Sequence, residues 1–82
     1  IMMNIVEYTE FLVKSIAKDA DLVKVSSYET DDALTIDIMV PESAMGSVMG
    51  KNGRNIKAIR TLVYAYGYLH KSQKLQINID TF

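Results

Sequence analysis

The spacing of apolar positions along this chain switches between helical and strand periods, and each switch marks an element. In residues 4–19, Ile5, Tyr8, Leu12 and Ile16 recur at helical spacing, Asn4 stands in an N-cap position and Glu7 at the third helical position, so a helix is predicted. "LVKVSSYE" (22–29) sets Val23, Val25 and Ser27 against Lys24 and Ser26, the alternation of a strand. "TDDA" reads as a turn. "LTIDIMV" (34–40) alternates most clearly, with Leu34, Ile36, Ile38 and Val40 on one face and Thr35, Asp37 and Met39 on the other. A turn this short makes the two strands an antiparallel hairpin. Pro41 ends the second strand and, with Glu42 behind it, opens the short helix "ESAMGSVM" with proline at its first position. Residues 50–53 form a loop. A second helix over 54–70 carries Ile56, Ile59, Leu62, Val63 and Tyr66 on its apolar face. "KLQINID" (74–80) alternates Leu75, Ile77 and Ile79 against Gln76, Asn78 and Asp80, a third strand.

The predicted order is helix, strand, strand, helix, helix, strand. A two-helix crossover joins the strands at 34–40 and 75–80, which suits a parallel pair that no tight turn can make. The fold class is therefore α+β: a three-stranded mixed sheet with its helices packed on one face. With 82 residues the chain is one small domain, and a chain of this size buries only about 60–65% of its unfolded surface. It has no cysteine, which excludes a disulfide scaffold, a thiol nucleophile and a cysteine-based zinc site, and fits a cytoplasmic location. No apolar stretch approaches the ~20 residues of a membrane span. The start "IMMNIVEYTE" lacks the pattern of a secretory signal, and Ile1 ahead of Met2 is expected to be an expression remnant.

Charge changes the picture. The net value is only −1, but residues 1–42 hold three lysines against nine carboxylates, a balance of −6. Residues 43–82 hold six cations against Asp80 alone, a balance of +5, and the first of those cations is Lys51 between the glycines at 50 and 53. Chance can segregate charge in so short a chain, but a bipolar domain of this kind can also offer a cationic face to a polyanion.

Four readings compete for "GSVMGKNG". A nucleotide-triphosphate loop needs four residues between its glycines and a Ser or Thr after the lysine; here there are three, and Asn52 follows Lys51. A membrane GxxxG from Gly46 to Gly50 needs a long apolar segment, which Lys51 interrupts. Asn52-Gly53 can be a plain interhelical turn without a ligand. The last reading is a G-x-x-G clamp for the backbone of about four single-stranded nucleotides, the arrangement of a KH module. The chemistry asks for these residues: glycines at 50 and 53 let sugar-phosphate approach the main chain, and the next helix presents free N–H groups and a positive dipole end. Lys51 adds a mobile charge, Asn52 a neutral donor, and Arg54, Lys57 and Arg60 extend the positive surface.

"VMGKNGRNIKAIRTLV" resembles the I-G-x-x-G-x-x-x-x-x-I core of KH domains, and the αββααβ order resembles their type II, bacterial form. Over nearly its full length, through "FLVKSIAK", "VPES" and "GKNGRNIKAIRTLVYAYG", the chain is similar to the stand-alone bacterial KH-domain RNA-binding proteins, the KhpA family. The resemblance implies one KH domain over residues 2–82, with Gly50, Lys51, Asn52 and Gly53 as the backbone clamp. It implies that Val48, Met49 and Ile56 wall an apolar groove for bases, with Met39 and Val40 on the other side. It implies a small cytoplasmic protein that binds single-stranded RNA, is associated with RNA regulation or chaperoning and with cell-envelope growth, and pairs with itself or with a larger KH-containing partner. The chain departs from the family pattern at Met49, where isoleucine is usual, and at Ser47, where a basic residue is expected. The segment between Pro41 and Gly50 is a residue longer than is typical of the family, so an irregular first crossover helix is expected.

Other residues read more plainly. Ile56, Ile59 and Leu62 are expected in the core. Tyr64, Tyr66 and Tyr68 cannot all be buried on one helix, and an exposed one can stack on a base or join a dimer surface. Lys71 and Lys74 read as a solvated loop, His70 as a cation at a helix C-terminus, and Asp31 and Asp32 as turn residues. No residues form a nucleophile–base pair or a metal-ligand set, so no enzyme, cofactor, metal, small-molecule substrate or membrane partner is expected. The competing functional class is an interaction module that dimerises or scaffolds and binds RNA weakly or not at all.

Overall fold

The first helix, α1 (Ile5–Ile16), starts with a reciprocal cap: the Asn4 side chain accepts the Glu7 N–H at 2.8 Å, and Glu7 Oε1 accepts the Asn4 N–H at 3.0 Å. The computed structural model describes residues 3–70 and 74–82, without the His70 side chain. The readings of His70 and Lys71 concern parts outside the described residues. α1 ends three residues before the predicted limit. Ala17 is extended, Asp19 takes a left-handed conformation at φ 54°, and a 3-10 turn over Ala20–Leu22 leads into the sheet. Asp19 is held there by Ser43, whose hydroxyl donates to Oδ2 at 2.8 Å.

β1 (Lys24–Glu29) and β2 (Ala33–Val40) form the predicted antiparallel hairpin, with Val25 opposite Ile38 and Ser27 opposite Ile36. β3 (Lys74–Thr81) lies parallel to β2, pairing Leu34 with Leu75, Ile36 with Ile77 and Ile38 with Ile79. The sheet order is β1-β2-β3, so β2 is central. The crossover consists of α2 (Glu42–Met49), a 3-10 turn at Lys51–Gly53, and α3 (Arg54–His70). Pro41 is the N-cap of α2 and Glu42 its first residue; α2 is one continuous helix, not an irregular one.

The core joins the inner faces of the strands to all three helices through Val13, Val23, Ile36, Ile38, Val40, Ala44, Val48, Ile59, Val63 and Ile77. In two helices the buried strip lies to one edge of the stripe that the sequence indicates. In α1 the buried positions are Thr9 and Val13, while Ile5, Tyr8 and Leu12 are half-buried and Ile16 is exposed. Thr9 tolerates burial because its hydroxyl donates to the Ile5 carbonyl at 2.8 Å. In α3, Ile56, Ile59 and Val63 are buried, but Leu62 is 46% exposed and is not a core residue. Thr35 is buried on the outer face of the sheet, where its place in the central strand sets it between Tyr28 and Gln76.

Candidate nucleic-acid interface

Gly50 ends α2 at φ 73°, ψ 171°, after its N–H closes the last helical bond to the Gly46 carbonyl at 2.9 Å. Asn52 (φ 57°) and Gly53 (φ 74°) are also left-handed. Asparagine is among the few residues with a side chain that adopt this conformation readily, so the Asn-Gly pair suits the bend. The Gly53 N–H bonds to the Gly50 carbonyl at 3.1 Å and the Arg54 N–H to the Lys51 carbonyl, and α3 runs on from there. These are the first bonds of the turn, so the Lys51 and Asn52 N–H groups lie ahead of them.

The two glycines are needed for different reasons. A Cβ on Gly50 would lie 2.6 Å from Asn55 Cγ and 2.9 Å from the Asn55 backbone nitrogen, so the fold itself excludes a side chain there. A Cβ on Gly53 would meet nothing nearer than Ile56 Cγ2 at 3.9 Å, which leaves conformation as the only internal demand for glycine at that site.

The residues expected to bind RNA fall into three groups. Lys51, Asn52, Arg54 and Lys57 are exposed, and none of the three cations forms an ion pair among the described residues. Arg60 separates from them: it is half-buried, and Nη2 points to β3, donating to the Ile77 carbonyl at 3.5 Å. Among the apolar residues only Met49 keeps side-chain surface on the helix side of the sheet. Val48 and Val40 are 0% exposed and Ile56 is 2% exposed, so all three are core residues, and Met39 lies on the sheet face turned away from the helices. The expected groove walls at Val48, Ile56, Met39 and Val40 are thus corrected by burial and by strand alternation.

The tyrosines also divide. Tyr66 is half-buried and stacks on Tyr8, with ring centroids 4.5 Å apart, and its hydroxyl donates to the Met3 carbonyl. Tyr64 and Tyr68 are exposed. A shallow apolar depression of about 200 Å³ lies between α1 and α3, lined by Leu12, Ile16, Ala58, Ile59 and Leu62, with Asn55 and Ser15 as its polar members. Among the described residues no group of acidic or histidine side chains could hold a metal, and no helix is long and apolar enough to cross a membrane.

Sequence reasoning passed over Asn55. Its Nδ2 donates to the Ser47 carbonyl at 2.7 Å, joining the last turn of α2 to the first turn of α3. The signal was a short amide residue two positions after the second glycine, inside a helix whose neighbouring polar residues are charged.

A glycine-bounded, left-handed turn between two helices, in a sheet whose central and last strands are parallel, defines a KH-like α+β domain of the αββααβ form. More narrowly, the chain belongs to the family described as KhpA/KhpB, KH domain, which its residues 6–79 match. It is 46% identical over 56 residues to the RNA-binding protein KhpA of Listeria monocytogenes, covering 68% of this chain and 74% of that protein. It is 38% identical over 68 residues to the RNA-binding protein KhpA of Bacillus subtilis, covering 83% of each chain. With the RNA-binding protein KhpA of Halalkalibacterium halodurans the identity is 34% over 71 residues, or 87% of this chain and 90% of the relative. No solved structure gives a significant match.

Proposed function

We propose that this chain binds single-stranded RNA through the loop Gly50-Lys51-Asn52-Gly53, which clamps the phosphate backbone. The observation that carries the reading is the loop itself: three left-handed residues hold the Lys51 and Asn52 N–H groups ahead of the first bond of the turn, beside exposed Lys51, Arg54 and Lys57. Phosphate oxygens need such donors, and three cations within seven residues supply the sequence-independent attraction. The names of the relatives as RNA-binding proteins support the partner class. Bases contact Met49 and the surface beside the loop, while Arg60, half-buried and turned to the Ile77 carbonyl, adds to the positive surface from behind. A cytoplasmic role in RNA regulation or chaperoning, linked to cell-envelope growth, belongs to this reading.

Fluorescence anisotropy with a short labelled single-stranded RNA tests it. Lys51→Asp with Asn52→Asp is expected to weaken binding by more than about a hundredfold, since it replaces attraction with repulsion at both exposed positions. Circular dichroism should remain that of the wild type. Wild-type affinity in the double variant, with the same salt dependence, would sink the loop reading.

A second observation supports pairing, either with another copy or with a larger KH-containing protein. Ala58, Leu62, Ala65 and Leu69 share one stripe of α3, all exposed, and exposed Ile16 of α1 lies beside Ala58 and Leu62. An apolar stripe of this spacing is the surface a partner helix covers. Sedimentation velocity is expected to show a dimer, and Leu62→Glu a monomer that still binds RNA. A wild type that stays monomeric at high concentration would leave only the partner protein to cover the stripe.

A further inference from the structure

We infer that Asn55 is the positioning residue of the loop: its side chain takes the place of the Lys51 N–H at the end of α2 and so frees that N–H for a phosphate. The inference rests on the reading that the loop binds RNA. Had α2 continued, the Lys51 N–H would have bonded to the Ser47 carbonyl, four residues back. The chain breaks at Gly50 instead, and the last carbonyls of α2 lose their donors. Gly46 still receives the Gly50 N–H, and Ser47 receives Asn55 Nδ2 at 2.7 Å. No hydrogen bond from the Lys51 N–H is present among the described residues. A side chain from the next helix thus satisfies the carbonyl, and a backbone donor at the tip of the loop is left over.

Packing fixes the same arrangement. The Asn55 side chain fills the space above the Gly50 α-carbon, with its Cγ and Cβ 2.6 and 2.9 Å from where a Gly50 Cβ would lie. A side chain at position 50 would therefore displace Asn55. Ser47, which stands where the family pattern has a basic residue, anchors the other side. Its hydroxyl accepts the Lys18 N–H at 3.0 Å and donates to the Ala44 carbonyl at 3.0 Å. The end of α1, the end of α2 and the start of α3 are joined at this serine, through its hydroxyl and its carbonyl. A carbonyl is present whatever residue occupies position 47, so the Asn55 amide is the part that substitution can remove.

The test uses the whole chain, Asn55→Ala and Asn55→Asp, the last keeping the shape over Gly50 while lacking the donor. In ¹⁵N-labelled protein without RNA, the Lys51 amide resonance is expected to move in both variants as its N–H turns back to the Ser47 carbonyl. With single-stranded RNA, Asn55→Ala is expected to bind roughly tenfold more weakly, the loss of one charge-assisted hydrogen bond. Its slope of log affinity against log salt should stay that of the wild type, since every cation remains. Ser47→Ala keeps the carbonyl and is expected to leave the Lys51 resonance in place. An unmoved Lys51 resonance in both Asn55 variants would overturn the inference. A moved resonance in a protein whose wild type binds no RNA would instead overturn the RNA reading and leave the positioning role standing.

Discussion

Two polar turns sit in this domain, and they differ in what holds them and in the charge around them. The hairpin turn between β1 and β2 closes on itself. The Thr30 N–H donates to the Ala33 carbonyl at 2.8 Å, and Thr30 Oγ1 bonds both the Ala33 N–H and its carbonyl at 3.2 Å. Asp31 and Asp32 at its tip are exposed and acidic. The loop between α2 and α3 is exposed at Lys51 and Asn52 and half-buried at both glycines, and there a side chain from another helix satisfies the Ser47 carbonyl behind the tip. Among the described residues no hydrogen bond comes from the N–H of Asp31 or Asp32 in one turn or of Lys51 in the other, so polarity, exposure and unbonded donors are common to both. What differs is the charge around them, acidic at the hairpin tip and cationic at the interhelical loop, and the proposed RNA reading rests on that difference.

The comparison can be broken most severely at Gly50. Gly50→Ala puts a side chain into a left-handed site and against the Asn55 backbone nitrogen, so a loss of about 2–4 kcal/mol in chemical denaturation is expected, together with loss of RNA binding. A stability within about 0.5 kcal/mol of wild type would mean that the loop is less tightly determined than its geometry indicates. A smaller effect is expected in the other turn. Thr30→Ala removes both Oγ1 bonds and should cost about 1 kcal/mol, with RNA affinity unchanged, because among the described residues no hydrogen bond or ion pair joins the hairpin tip to the loop. A change in RNA affinity there would show that the two turns are not independent. The mildest test sharpens the electrostatic side. Lys57→Ala should weaken binding only about threefold and flatten the salt slope by about 0.7 if the lysine neutralises one phosphate. An unchanged slope would place Lys57 off the RNA path.

How much of this was legible beforehand differs by residue. The capping box of α1 could be read from Asn4 and Glu7 because both partners lie within one turn. The inner faces of β2 and β3 could be read because alternation in a strand is a local property, and the parallel pairing followed from the length of the crossover. The glycines, Lys51, Asn52, Arg54 and Lys57 were visible as a motif with charge around it. Arg60 was not separable from Lys57 in the sequence, since only the position of β3 turns one inward and leaves the other in solvent. Val48 and Ile56 were groove walls only by the family resemblance, and the core layer covers both. Asn55 drew no reading from the sequence, because nothing local to it shows that its partner is a carbonyl eight residues back, across the bend.

By itself the sequence determined the element order, the mixed sheet, the place of the loop and the sign of the charge around it. Each of these depends on residues within a few positions of one another or on the length of a connection. Only the tertiary structure decided that α1 buries Thr9 and Val13 most deeply, that Leu62 faces out, that Arg60 reaches β3, and that the Asn55 amide bonds the Ser47 carbonyl. An amphipathic helix specifies a broad apolar stripe, and the neighbours packed against it choose which edge of that stripe is buried.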